Sequence, residues 1–270
     1  MPELPEVQTV LGTLELRIKD AKIKDIRIKY APIIVGSASK FKKTLIGQHF
    51  RDFKRRGKYL LFEMDDITFV SHLRMEGKYF VLDKDEPVKK HDHIIFYLDD
   101  GRKLVYNDVR KFGRMEIVNK DDKYDDFHGL GVEPFDERFN AEYCLKWLKN
   151  KNKPVKTVLL DQSFIAGIGN IYADEILSAI KVHPLTLAKD LKKKDCEKLV
   201  EETRRILSNA IKAGGTTIRS YTSSLGVTGL FQLSLNVHTL KECPVCKSEV
   251  KKIVVGGRGT YYCPKCQKKK

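Results

Sequence analysis

The sequence predicts an α+β protein: an N-terminal helix and an antiparallel β-sandwich, then a helical half that ends in a four-cysteine hairpin. Three observations carry this. Short alternating stretches of apolar and polar residues recur from Ile26 to Val118 with turn signals between them. Apolar residues at spacings of three and four dominate from Glu142 to Ala213. Four of the six cysteines fall in the last 28 residues.

A chain of 270 residues is long enough for two ordinary domains, each with its own core. Its 51 Lys and Arg against 36 Asp and Glu leave a net charge of +15. Such a surplus favours a polyanionic partner, nucleic acid above all; a merely solubilising charge is the competing account. The sequence holds no run of 18 apolar residues, and its N-terminus carries acids rather than a basic segment followed by an apolar one. No membrane span is expected, and the expected location is the cytoplasm, in association with the nucleoid.

The first element is a helix. Leu4, Val7, Leu11, Leu14 and Ile18 define one buried face, and Pro5 is tolerated because it sits in the first turn. Ahead of it stands Met1-Pro2-Glu3. A small penultimate residue permits removal of Met1, which leaves Pro2 as a secondary amine beside the Glu3 carboxylate. Such an amine has an ordinary pKa near about 8, against about 10.4 for lysine, so a useful fraction is the neutral nucleophile at neutral pH. The positive end of the helix macrodipole disfavours its protonation further. Pro2 is thus a candidate nucleophile, with a mere processing detail as the alternative on this feature alone.

Strands follow. Ile26, Ile28 and Tyr30 alternate with Arg27 and Lys29, and comparable stretches cover 48–54, 59–64, 67–73, 78–82, 93–98, 103–106 and 114–118. Arg56-Gly57, Asp65-Asp66 and Asp99-Asp100-Gly101 mark turns between them. Strands so spaced suggest a sandwich with the first helix packed on one end. Three loops carry unusual residues. Arg55-Arg56-Gly57-Lys58 places cations at a strand junction, Met75 lies just before a glycine turn, and Phe112 sits between cations and Gly113. An apolar tip flanked by arginine suits a wedge between stacked bases; a core Phe with two surface cations is the equal competitor.

Residues 119–140 hold seven acids against three basic residues, which suggests an interdomain connection. The expected division is a sandwich domain over 1–120, a linker over 121–140, a helical domain over 141–240 and a finger over 241–270. Helical periodicity covers 142–149, 155–160, 171–180 and 195–213. Cys144 and Cys196 lie within it, as expected of buried spectator thiols. Gly167-Ile168-Gly169-Asn170 precedes the third of these helices: Asn170 is either a plain helix cap or part of an anion site built on free backbone N–H groups. The polar, glycine-containing segment from Gly214 to about Gly229 is either a functional lid or disordered.

Cys243-Pro-Val-Cys246 and Cys263-Pro-Lys-Cys266 stand 16 residues apart, within the range for a four-cysteine zinc site; a redox dithiol is the lesser alternative. Four thiolates close the coordination sphere, so one structural Zn2+ is expected. Arg258 lies among Gly256, Gly257 and Gly259, where the hairpin tip should fall, and nine Lys or Arg stand against two Glu between Lys241 and Lys270. A cationic tip on a rigid hairpin is well placed to enter a groove.

Taken in order, Met1-Pro-Glu-Leu-Pro-Glu-Val7, Arg56-Gly-Lys-Tyr-Leu60, His72-Leu-Arg-Met-Glu-Gly77, Lys90-His-Asp-His93, Arg110-Lys-Phe-Gly113, Gly167-Ile-Gly-Asn-Ile-Tyr-Ala173, Gly214-Gly-Thr-Thr217 and the terminal finger resemble the formamidopyrimidine-DNA glycosylases across the whole chain. Leu4 resembles these enzymes more than their relatives, the endonuclease VIII enzymes. The resemblance implies a helix-two-turn-helix domain and a bifunctional glycosylase and AP lyase that removes oxidised purines from damaged double-stranded DNA, as a monomer. It implies Pro2 as imine-forming nucleophile, Glu3 as proton donor and Lys58 as a phosphate-holding catalytic partner. It further implies DNA contacts from His93, Arg110, Lys156, Asn170 and Arg258, with Met75, Arg110 and Phe112 filling the gap left by a flipped base. Residues Val237 to Glu242 depart from the family's pattern, being shorter and lacking its Tyr and Arg. An endonuclease VIII-like enzyme for oxidised pyrimidines and a non-enzymatic zinc-dependent DNA-binding protein are the alternatives.

Overall fold

The computed structural model describes residues 1–120, 124–216 and 229–270. Residues 121–123 of the expected linker and 217–228 of the expected lid, Thr217 among them, lie outside the described residues. The chain divides into two compact units, Met1–Lys123 with Gly214–Leu230, and Tyr124–Ala213 with Phe231–Lys270.

In the first unit helix α1 spans Leu4–Ile18 and buries the expected stripe, Leu4, Val7, Leu11, Leu14 and Ile18, together with Val10. Eight strands follow: β1 (Ile23–Ile28), β2 (Asp52–Arg56), β3 (Tyr59–Glu63), β4 (Ile67–His72), β5 (Lys78–Leu82), β6 (Asp92–Leu98), β7 (Lys103–Asn107) and β8 (Arg114–Asn119). They form two four-stranded antiparallel sheets, ordered β1-β6-β7-β5 and β2-β3-β4-β8. Helix α1 lies against β2, β3 and β5, and so touches both sheets. Phe62 and Phe69 stack at 5.1 Å within one sheet, and Phe69 meets Phe96 of the other at 5.5 Å, so aromatic rings fill the layer between them.

Two local expectations change. Strand β1 stops at Ile28 and does not reach Tyr30, because Ala31-Pro32-Ile33 turns into a short 3-10 helix. An unforeseen helix α2 (Ala38–Leu45) follows, its first turn capped by Ser37, whose hydroxyl accepts the Lys40 N–H at 3.2 Å. Only Phe41 and Leu45 of α2 are buried, too few apolar positions for a legible period.

The second unit holds α3 (Ala141–Leu148), α4 (Val155–Leu159), α5 (Asn170–Ala179) and α6 (Lys193–Lys212), then a hairpin of β9 (Lys251–Val255) and β10 (Arg258–Tyr262). Helix α6 buries Cys196, Leu199, Val200, Thr203, Ile206, Leu207 and Ala210 on one face and packs on α3 and α5. Cys144 and Cys196 are fully buried, and desolvation pushes both thiols up, Cys196 to about 11, which leaves them inert. Between α4 and α5 the chain makes two turns organised by Gln162. Its amide accepts the Gly167 N–H at 3.0 Å and donates to the carbonyls of Leu160 and Ile168 at 3.1 and 2.8 Å. Among the described residues no helix is long and apolar enough to cross a membrane.

Candidate functional site

The start of α1 is closed in by carboxylates. Pro2 is buried, and Glu3 and Glu6 are 3% and 2% exposed. The Glu3 N–H donates to Glu6 Oε2 at 2.9 Å, while Glu6 Oε1 accepts the N–H and hydroxyl of Thr216 at 2.8 and 3.1 Å. Gly215, at φ +80°, presses so near that a Cβ there would lie 2.8 Å from Glu6 Oε1, which is why glycine precedes the clasp. Lys58 arrives from the two-residue turn between β2 and β3, where Gly57 adopts φ +56°. Arg55 ties that turn to α1, with Nη1 on Gly57 O at 3.0 Å and Nε on Gln8 Oε1 at 3.1 Å. The terminal amine, here that of Met1, has its pKa lowered by burial. Glu3 and Glu6 oppose that shift, while the positive charges of Lys58 and Arg110 reinforce it. Three residues singled out in the sequence, Glu3, Lys58 and Arg110, thus bear on the amine that adjoins Pro2.

Met75 is half-buried in the turn between β4 and β5, beside Arg74 at φ +55°. Arg110 and Phe112 are exposed on the loop between β7 and β8, with the guanidinium carbon 4.8 Å from the Phe112 ring centroid. An apolar ring 50% exposed and stacked under a cation sets aside the core reading of Phe112. The loop winds around Asp108. This fully buried carboxylate accepts the N–H groups of Arg110, Phe112 and Gly113 at 3.0, 2.9 and 2.9 Å.

His93 corrects an expectation. It sits at a bulge where the β6 register slips between Asp92 and Ile94, which turns its ring toward the Asp108 carbonyl at 2.9 Å. At 5% exposure it holds the loop from behind and offers no ring to a phosphate. Its partly exposed neighbour His91 is the histidine that reaches the surface.

In the second unit the four cysteine sulfurs lie within 4.8 Å of one another. A tetrahedral zinc with bonds of about 2.3 Å separates its sulfurs by about 3.8 Å. The observed 4.0 Å between Cys243 and Cys266 and 3.4 Å between Cys246 and Cys263 bracket that edge, so the donor set fits one structural Zn2+. Gly256 and Gly257 both take positive φ, as a two-residue hairpin turn requires, and leave Arg258 exposed as the first residue of β10.

Lys156 is a second correction. Its side chain is wholly buried, 2.6 Å from Asp174 Oδ1 and 2.8 Å from Thr260 Oγ1, and it makes no surface for a phosphate. It supports the hairpin two residues from Arg258. Asn170 is not a helix cap either. Gly169 takes that position, and Asn170 Nδ2 donates to Gly259 O at 2.9 Å from the first helical residue. The departing segment 237–242 seats the finger by other means. Val237 and Leu240 join the apolar cluster of the cysteines, Glu175 accepts the N–H groups of Asn236, Val237 and His238, and His238 Nδ1 lies 2.7 Å from Asp174 Oδ2. Sequence reasoning missed Glu6, Tyr106 and Asp108 as site-building residues. An acid between Asn107 and Val109, two residues before Arg110, carries no signal that it is buried.

Three family models match in series: the formamidopyrimidine-DNA glycosylase N-terminal domain over residues 1–115, the formamidopyrimidine-DNA glycosylase H2TH domain over 130–222, and the zinc finger found in FPG and IleRS over 241–269. A helix-capped sandwich, an H2TH domain and a four-cysteine finger in this order define a DNA glycosylase. The chain is 46% identical over 276 residues to the formamidopyrimidine-DNA glycosylase of Oceanobacillus iheyensis, covering 100% of this chain and 99% of that one. Two solved structures are similar: a Lactococcus lactis FPG mutant with a Fapy-dG containing DNA, and the Lactococcus lactis Fpg with an abasic site containing DNA. Their TM-scores are 0.94 and 0.93, each at 42% identity over 99% of this chain and 100% of the other. The chain belongs to the formamidopyrimidine-DNA glycosylase family.

Proposed function

We propose that the protein removes 8-oxoguanine and formamidopyrimidines from double-stranded DNA through an imine on Pro2 and then cuts the strand by β,δ-elimination. A base-excision-repair glycosylase acting on oxidised purines, with the AP lyase activity characteristic of its family, is what family membership supplies. The observation that carries the residue assignment is the buried Pro2 beside the buried carboxylates Glu3 and Glu6, next to a terminal amine on which Lys58 and Arg110 also act.

Once Met1 is removed, the neutral Pro2 nitrogen attacks the anomeric carbon of the extruded nucleotide, and the bond to the base breaks with its electrons leaving on the base. Glu3 takes up the proton that the attacking Pro2 nitrogen sheds and delivers it to the ring oxygen as the sugar opens to the imine. The positive imine acidifies the neighbouring sugar protons, so loss of one expels the 3′ phosphate and loss of another the 5′ phosphate. Lys58 holds phosphate at this centre. Met75, Arg110 and Phe112 fill the vacated stack, and Asn170, His91 and Arg258 serve as phosphate contacts. Zinc holds the finger and takes no part in bond cleavage. The protein acts as a monomer in the cytoplasm, on nucleoid DNA.

Borohydride reduction of the imine tests the assignment. The mature protein should form a covalent complex with DNA carrying 8-oxoguanine. Undiminished trapping by protein that retains Met1, or carries residues ahead of Pro2, would remove Pro2 from the role.

A further inference from the structure

We propose that Tyr106 and Asp108 are positioning residues that lock the Met75 turn and the Arg110–Phe112 loop to one another, so that the two enter the gap left by the extruded base as one rigid part. This rests on the reading that Met75, Arg110 and Phe112 fill that gap.

Tyr106 belongs to β7, opposite Tyr79 of β5, and its ring is fully buried 5.1 Å from the Tyr79 ring. Its hydroxyl occupies space that two other residues would need for a side chain. A Cβ on Gly77 would lie 2.2 Å from the Tyr106 oxygen, and one on Gly113 would lie 1.8 Å from it, both far inside van der Waals contact. Gly77 stands two residues after Met75, and Gly113 directly follows Phe112. One phenol oxygen is therefore pressed between the roots of both loops; it excludes a side chain at Gly113, and together with the Leu73 carbonyl it excludes one at Gly77.

The same hydroxyl donates to Asp108 Oδ2 at 3.3 Å, the oxygen that also accepts the N–H groups of Phe112 and Gly113. Burial, and then the negative charge of Asp108, push the Tyr106 phenol up, so it remains a protonated donor. Tyr106 and Asp108 are fully buried, so neither reaches the duplex; they act through the loops they hold. Two surface loops that must both order on entering a base stack each carry an ordering cost. A shared buried post ties the order of one to the order of the other, so that seating the first makes the second cheaper.

The test compares single-turnover excision of 8-oxoguanine opposite cytosine with strand cleavage at a preformed abasic site in single-stranded DNA, where no base has to leave a stack. Tyr106→Phe and Asp108→Asn should each slow excision about tenfold and leave cleavage at the abasic site within about twofold. In the parent, Met75→Ala and Phe112→Ala combined should cost about as much as one alone; in the Asp108→Asn background their losses should multiply. Equal slowing on both substrates, multiplying losses already in the parent, or parental excision by both Tyr106→Phe and Asp108→Asn would overturn the proposal. Should Asp108→Asn not fold, Tyr106→Phe, which removes a single oxygen, serves as the background. If Met75→Ala and Phe112→Ala each excise at the parental rate, the gap-filling reading itself falls and the proposal with it.

Discussion

The Lys156 ammonium lies 2.6 Å from the Asp174 carboxylate with neither side chain exposed. Asp174 Oδ2 takes His238 Nδ1 at 2.7 Å and the Tyr261 N–H at 3.2 Å, so one buried carboxylate joins α4, α5, residue 238 and β10. Removing one partner of a buried pair leaves the other charge uncompensated, at a cost of about 3 to 5 kcal/mol. Lys156→Ala is therefore expected to destabilise the protein strongly in urea unfolding while leaving the salt dependence of DNA binding unchanged. A stable variant with a shallower salt slope would return Lys156 to the phosphate contacts.

Arg258 should behave in the opposite way. It is exposed at the head of β10, held by a turn of two glycines at positive φ. Arg258→Ala should leave stability nearly unchanged and reduce the slope of log affinity against log salt by roughly one unit, the share of one phosphate contact. Titrations at several salt concentrations measure the slope, and an unchanged value removes Arg258 from the contacts.

Zinc loss should follow a different route to the same defect. Four sulfurs within 4.8 Å repel one another once deprotonated, and Val237, Leu240 and Val250 pack on them. Cys243→Ser should lower bound zinc below one per chain and weaken DNA binding. Borohydride trapping at saturating DNA should survive. Fully active protein without zinc would refute the structural role.

The terminal amine sets the pH dependence. Burial lowers the pKa of the Met1 amine, with Lys58 and Arg110 reinforcing the shift against Glu3 and Glu6, and the Pro2 amine freed by removal of Met1 is expected to meet the same groups. The neutral, nucleophilic form therefore persists below the ordinary midpoint of about 8 and is lost by protonation as the pH falls further. Rates of trapping on abasic-site DNA should show an acid limb centred below about 8. Because a nearby cation lowers the amine's pKa, Lys58→Gln should move that limb to higher pH, whatever it does to the plateau. A limb that stays fixed would mean that Lys58 does not act on the amine.

Arg110 bears on the base opposite the lesion. Its guanidinium has only donors, and it stacks on Phe112 in an exposed loop. Cytosine presents two adjacent acceptors on its pairing edge, whereas adenine sets an amino donor against the guanidinium. An unpaired donor in a closed site costs roughly tenfold to a hundredfold in discrimination. Excision of 8-oxoguanine should be faster opposite cytosine than opposite adenine, and Arg110→Ala should slow the cytosine pair more. Equal losses on both duplexes would show that Arg110 does not read the partner base.

Much of this was legible locally. Alternation and turn signals located the strands to within a few residues, the Cys-Pro-x-Cys pairs defined the metal hairpin, and the order of short motifs named the family. These features depend on neighbours in the chain, where periodicity and spacing act directly. What the sequence did not decide was the fate of each polar group. The resemblance implied DNA contacts from His93 and Lys156, yet a one-residue bulge in β6 turned the first inward, and Asp174, 18 residues on, drew the second into the core. Glu6 entered only as part of the opening motif, and its partner Thr216 lies 210 residues away. Asp108 and Tyr106 gave no local sign that they would shape two loops. A side chain's charge is written in the sequence. Whether water or a distant partner satisfies that charge depends on which segments the packed core brings together, and only the tertiary structure decides that.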